Sequence, residues 1–257
     1  MAVNFDVQHY LDQFHRLAME QGFQHEELAT VGRYQIPAYT RNMESEVCVY
    51  ISSGCHGDEP AGPRAMLELL QEGFFSEGVN WLVCPLLNPT GMTAGTRENL
   101  QGVDLNRDYL EKVSVEVRGH VGWLERQTVP DLFLSLHEDW ESTGFYLYEI
   151  QKNVSESAAQ KILTEAAVVI PTEPSSTIDD HEVREPGWIF HQPQADFPEQ
   201  WPEAIFMAER GTPISYTLET PSSLELERRV RCHKLAVQCA VRAIKLGKVC
   251  AHGMGHS

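Results

Sequence analysis

Apolar positions mark out the elements of this chain before any residue suggests chemistry. Phe5, Tyr10, Leu11, Phe14, Leu17 and Ala18 recur at near-helical spacing between Asn4 and Gly22, which predicts an amphipathic helix near residues 5–21. From there to about residue 135, β-rich and helical runs alternate: VCVYISSG (47–54), PAGPRAMLELLQEG (60–73), NWLVCPLL (80–87), SVEVRGHVGWLERQ (114–127) and LFLSLH (132–137). That order predicts an α/β sheet flanked by helices. FYLYEI (145–150) and PISYTLE (213–219) read as further strands, a helical stretch is expected near 155–169, and residues 223–247 carry the strongest helical pattern. No repeat and no long linker divides the chain, so residues 1–257 are expected to form a single domain. Residues 171–204 stand apart: they hold six of the fourteen prolines and no clear period, as a functional loop or a disordered segment would.

Charge and composition narrow the class. Lys and Arg total 20 against 37 Asp and Glu, a formal −17, which argues against a nucleic-acid partner. No run approaches the roughly 20 apolar residues of a membrane span, and the opening MAVNFDVQHYLDQFHRL lacks a basic start followed by an apolar stretch, so a cytoplasmic protein with no membrane partner is expected. The six cysteines form no CxxC pair, which suits buried or free thiols and makes sulfur an unexpected ligand for zinc. The last helical stretch carries Arg228, Arg229, Arg231, Lys234, Arg242, Lys245 and Lys248 against Glu225 and Glu227. It reads as a solvated face whose late cations complement the helix dipole, or alternatively as a patch for an anionic partner. His252 and His256 in the tail could touch a metal or belong to a loose end.

Candidate chemistry begins at SSGCHGDEPAG (52–62), where an apolar run ends and a helical one starts. His56 and Glu59, three apart at such a turn, can converge on one side, and an imidazole with a carboxylate suits Zn2+, although the pair alone is common by chance. A catalytic zinc wants a third protein ligand and an open position. His137, ending LFLSLH, is the best candidate, with a satisfied buried histidine as the other reading. Glu138 and Asp139 beside it could orient a ligand or simply be solvated. In TRENLQGVDLNRDY (96–109), Arg97, Asn106 and Arg107 suit recognition of carboxylates and developing oxyanions, or equally a loop that pairs with an acidic surface. Glu219 ends the ISYTLE run, where a carboxylate can serve as general base and then acid, unless Thr220 or Ser222 makes this merely the cap of the last helix.

Taken in order, HGDE (56–59), Arg97 ahead of DLNR (104–107), strand-end His137 and the later Glu219 resemble the zinc carboxypeptidase family, including its succinylglutamate desuccinylase and aspartoacylase relatives. The resemblance spans about residues 48–222. It implies one Zn2+ held by His56, Glu59 and His137, with Glu219 as the catalytic carboxylate and Arg97 polarising the scissile carbonyl. It also implies that Asn106 and Arg107 grip the terminal carboxylate of the substrate. The implied fold is a three-layer α/β/α sandwich around a mixed, mostly parallel sheet of about eight strands. The implied activity is that of a zinc metallocarboxypeptidase, cutting the amide next to the free C-terminal carboxylate of a peptide. The alternative is a zinc-dependent deacylase of N-acyl amino acids. A binding module without activity is disfavoured, because the ligand set, Arg97 and Glu219 are all retained.

The chain departs from digestive carboxypeptidases at one point. Those carry a mobile tyrosine before the catalytic Glu, whereas here no Tyr occurs between Tyr148 and Tyr216. Trp188, Phe190, Phe197 or Trp201 could close the site instead, and Tyr146 and Tyr148, which share a strand face, could reach it or be core. A deacylase for a doubly acidic substrate should present an additional cation, for which Arg184 is the candidate, being the one basic residue between Lys161 and Arg210.

Overall fold

The computed structural model describes residues 5–76, 78–152 and 157–253, with side chains in the last helix described as far as residue 247. In chain order the elements are α1 (Val7–Glu20), β1 (Gln24–Val31), β2 (Tyr34–Arg41), β3 (Cys48–Ser53), α2 (Ala61–Gln71), β4 (Asn80–Cys84), α3 (Pro89–Ala94), α4 (Val115–Arg126) and β5 (Leu132–Asp139). There follow β6 (Tyr146–Gln151), α5 (Ala159–Ala166), β7 (Thr177–Ile178), β8 (His181–Glu182), β9 (Trp188–His191), α6 (Glu203–Glu209), β10 (Ile214–Pro221) and α7 (Leu226–Gly253). No helix among the described residues is long and apolar enough to cross a membrane.

Eight strands form one mixed sheet in the order β1-β2-β4-β3-β5-β10-β6-β9. Its middle, β4-β3-β5-β10, is parallel throughout, and β6-β9 is parallel as well, while β1-β2, β2-β4 and β10-β6 are antiparallel. Helices cover both faces, as a parallel sheet requires. Alternation along the strands sorts the core: Val49 and Ile51 of β3 with Leu132, Leu134 and Leu136 of β5 pack among residues of α1, α2, α5 and α7. Tyr50 and Phe133 point the other way, toward α4 and α6. Ser135 and His137 follow Phe133 on that second face, so β5 delivers an imidazole to the sheet's carboxyl edge.

The expected elements occur close to their predicted places, and the helix foreseen near 155–169 runs from Ala159 to Ala166. Asp6 caps α1, its carboxylate accepting from the His9 N–H at 3.0 Å. The β1-β2 hairpin is an addition. Its first strand, QHEELATV, is largely exposed at the sheet edge and so lacks an apolar signal, while Gly32, at φ 61°, opens the turn between Val31 and Tyr34. Residues 171–204 are neither disordered nor wholly irregular. They supply the β7-β8 ribbon, edge strand β9 and the start of α6. Five cysteines are buried and outside any disulfide, as expected, while the Cys250 side chain lies outside the described residues.

Four cations of α7 engage neighbouring elements and so are not free for an anionic partner, while Arg231 is exposed, as a solvated face would have it, and the Lys248 side chain lies outside the described residues. Lys234 reaches Glu68 of α2 at 2.9 Å and also Glu72, and Arg242 pairs with Glu165 of α5. Arg228 donates to the carbonyl of Val169 at 2.8 Å. Arg229 is buried and pairs with Glu138 of β5, whose other oxygen accepts the N–H of Ala61, at 2.7 Å, in the first turn of α2. Because Pro60 offers α2 no side-chain cap, Glu138 supplies one from the neighbouring strand. Burial pushes Glu138 up to about 7 despite Arg229. Removing one partner of a buried pair strands the other. Arg229→Met should therefore cost about 3–5 kcal/mol in denaturant unfolding, partly recovered by adding Glu138→Gln; a loss within about 0.5 kcal/mol, typical of a surface change, would contradict this.

Candidate active site

His56 and Glu59 sit in the turn from β3 to α2, and the backbone packs closely there. A Cβ on Gly57 would lie 1.9 Å from the carbonyl carbon of Gly91, so only glycine permits this approach to α3. His56, Glu59 and His137 are all buried, with their ligand atoms within 4.8 Å of one another. The Nδ1 of His56 lies 2.6 Å from one Glu59 oxygen, the Nδ1 of His137 lies 3.0 Å from the other, and the two nitrogens are 3.3 Å apart. On its far side, His56 Nε2 meets Asp104 at 3.2 Å. A protonated His56 donates to both Asp104 and Glu59; once it is neutral with Nε2 donating to Asp104, its Nδ1 lone pair faces a buried carboxylate, and a cation can take the place of the lost proton. Two imidazole nitrogens and a carboxylate are a donor set that suits a zinc-type ion.

The polar stretch 96–109 brings the other polar groups to the same place. Arg97 Nε donates to Asp104 at 2.9 Å, which leaves its Nη1 at 3.9 Å from Glu59. Asp104 thus orients both His56 and Arg97. It lies inside DLNR, yet spacing alone gave it no role, because its contact with the candidate ligand His56 spans 48 residues. Burial raises the Asp104 carboxyl, but His56 and Arg97 more than reverse this and hold it well below the usual range. Asn106 accepts the backbone N–H of Glu203 at 3.0 Å, and Arg107 donates to the Asn106 carbonyl at 2.9 Å.

Behind Asn106 lies a buried polar cluster that the sequence did not announce. The Glu203 carboxylate accepts from Tyr50 at 2.6 Å and Ser52 at 2.9 Å, and His120 meets Tyr50 at 2.6 Å and Tyr109 at 2.9 Å. Burial pushes Glu203 up to about 7 and His120 down to about 3. With every member partnered, the cluster fixes the start of α6 against the segment that carries Asn106 and Arg107.

Glu219 arrives by register. On adjacent strands it pairs with His137 of β5 on one side and Tyr146 of β6 on the other. A cavity of about 350 Å3 opens above this row, lined by His56, Glu59, Arg97, Asn106, Arg107 and Glu219 among others. Burial, then the nearby Glu59, Asp139 and Asp179 charges, raise Glu219 well above the ordinary carboxylate range. Tyr146 and Tyr148 also line the cavity, their hydroxyls donating to Asp139 at 3.1 Å and Asp179 at 2.6 Å. The seven residues singled out in the sequence are therefore brought together.

Other expectations are corrected. Glu138 neither orients His137 nor is solvated, being tied to α2 and Arg229. Asp139 fastens its own turn by accepting from the N–H groups of Glu141 and Ser142. Trp188 is core, its indole donating to Glu149 at 2.9 Å, and Phe197 is the one of the four aromatic candidates that lines the cavity. The Arg184 guanidinium stacks over Trp188 and Phe190 and is not a cavity cation. The His252 side chain and His256 lie outside the described residues.

A family model for the succinylglutamate desuccinylase/aspartoacylase catalytic domain matches residues 46–188. Among solved structures, a candidate metallopeptidase from Shewanella denitrificans is 27% identical with a TM-score of 0.80, over 91% of this chain and 88% of that one. Another from Shewanella amazonensis is 24% identical with a TM-score of 0.81, over 93% of both chains. A metallo-carboxypeptidase from Burkholderia cenocepacia shares the fold at 15% identity and a TM-score of 0.67, over 93% of this chain and 69% of that one. No curated protein matches.

The charge balance at His56 yields a prediction for metal uptake. Burial disfavours its charged form, but Glu59 and Asp104 outweigh this and push it up to about 9, whereas burial lowers His137 and the two imidazoles pull Glu59 down. Between pH 6 and 8, then, one proton must leave His56 before a cation binds. Affinity of the metal-free protein for Zn2+ should rise by about one log unit per pH unit and level off above pH 9. A pH-independent affinity by competition titration would contradict this.

Proposed function

The chain belongs to the succinylglutamate desuccinylase/aspartoacylase catalytic-domain family within the zinc carboxypeptidase-like superfamily, and we propose that it is a zinc-dependent carboxypeptidase that removes the C-terminal residue of short peptides. The observation that carries the catalytic part is the register of Glu219 beside His137, which sets a carboxylate with no ion-pair partner among the described residues against the candidate ligand trio. A zinc ion held by His56, Glu59 and His137 would acidify a water and polarise the scissile carbonyl. Glu219 takes the proton of the attacking water and returns it to the leaving amine. Arg97, aimed by Asp104, donates to the oxygen on which negative charge develops; loss of one such donor typically costs about 3 kcal/mol of transition-state stabilisation. Arg107 binds the terminal carboxylate of the substrate, with Asn106 beside it held to the start of α6.

Peptidase is preferred over deacylase of a doubly acidic substrate because of the cavity's cations. Arg97 and Arg107 are the only arginines or lysines among its described lining residues, while Asp139, Glu141 and Asp179 stand along its wall. One arginine for the oxyanion and one for a single carboxylate leaves none for a second carboxylate. The family match itself favours deacylation of N-acyl amino acids as the second reading.

Glu219→Gln should keep zinc binding while lowering kcat by about 10²–10⁴-fold, measured by steady-state kinetics with bound metal quantified alongside. Retained turnover would remove Glu219 from the chemistry. Arg107→Ala should act mainly on KM, and its effect should vanish on a peptide whose terminal carboxylate is amidated. An equal effect on both peptides would contradict the assigned role.

A further inference from the structure

We propose that His181, His191 and Asp196 form a second divalent-cation site, of zinc type, on the wall of the cleft. Their ligand atoms lie within 4.8 Å of one another, the same convergence seen at His56, Glu59 and His137, and no residue is shared between the two groups. His191 Nε2 is 3.1 and 3.3 Å from the two Asp196 oxygens, and His181 Nε2 is 3.4 Å from one of them.

The far side of His191 decides what this convergence can hold. Its Nδ1 lies 2.6 Å from the carbonyl oxygen of Gln192, a contact in which Nδ1–H must donate. In the neutral ring, Nε2 then carries its lone pair toward the Asp196 carboxylate, so two acceptors face each other. A backbone carbonyl that fixes the tautomer and aims the other nitrogen is the usual outer support of a metal-binding histidine. Imidazole with carboxylate suits zinc among the common divalent ions.

The three residues come from separate elements. His181 leads β8 directly after Asp179 and Asp180, which have φ of 48° and 62°, the paired positive values of a tight two-residue turn. His191 ends β9 at the sheet edge, and the Tyr148 ring stands edge-on to both imidazoles while its hydroxyl holds Asp179. Asp196 is exposed, leaving the site open to solvent. A cation there ties the β7-β8 ribbon, β9 and the following loop into one wall of the cavity that His56 and Glu59 also line.

The experiment counts zinc by elemental mass spectrometry on the full-length protein, stripped and then equilibrated with buffered zinc, and needs no substrate. Wild type should carry one more equivalent than either His191→Ala or Asp196→Asn, and His56→Ala should lose a different single equivalent. The tail histidines are present in every variant, so any zinc they hold cancels. As a second readout, zinc should raise the Tm of His56→Ala but not that of His56→Ala with Asp196→Asn; the exposed position of Asp196 keeps this variant informative if His191→Ala fails to fold. Equal zinc content in wild type and Asp196→Asn, or an unchanged Tm shift in the double variant, would overturn the proposal and leave an ordinary His–Asp ion pair.

Discussion

Two imidazole nitrogens 3.3 Å apart, both pressed against one buried carboxylate, set the terms for the rest of the molecule. Away from water such a cluster is satisfied only by cations or protons, and every neighbouring element serves to keep its members in place. The parallel strands β3 and β5 bring His56 and His137 to the same edge, and the glycine contact at Gly57 lets the turn close. Asp104 holds the outer nitrogen of His56. Even Glu138, one residue beyond His137, points to the opposite face and fastens α2, the helix that begins immediately after Glu59. The same strand thus presents a candidate ligand on one face and a structural anchor on the other.

Much of this was legible in the sequence, for a physical reason. Strands buried on both faces write continuous apolar runs, so β3, β4, β5 and β10 were visible, and a polar residue that ends such a run is conspicuous. His137 and Glu219 were found in that way. Their adjacency was not, because register between strands separated by 82 positions leaves no local trace. The edge hairpin escaped because QHEELATV buries little, and residues 171–204 escaped because their short strands follow a proline-rich contour rather than a period. Asp104 and Glu203 were missed on other grounds: each reaches a partner remote in sequence, His56 or Tyr50, and a carboxylate reads the same whether it is solvated or fully engaged.

Charge placement was the least readable property. A net of −17 and a basic final helix suggested a solvated or free face, yet Arg229, Lys234 and Arg242 of α7 pair with carboxylates of β5, α2 and α5. Arg184, the candidate extra cation for a doubly acidic substrate, lies instead on aromatic rings. What remains in the cleft is Arg97 and Arg107 against several acids. In an acidic protein those two guanidinium groups are the arginine charges the cleft offers among its described lining residues, and under the proposed function their number limits how many anionic groups a substrate can present.

The central claim is that a metal-loaded cleft hydrolyses an amide beside a single free carboxylate. Its most direct test is mass-spectrometric identification of products from zinc-loaded protein and a chelated control, offered free-ended peptides and N-acyl amino acids together. The account predicts chelator-sensitive peptides shortened by one C-terminal residue. Release of an acyl acid alone, with the peptides intact, would contradict it and move the chain to the deacylase side of its family.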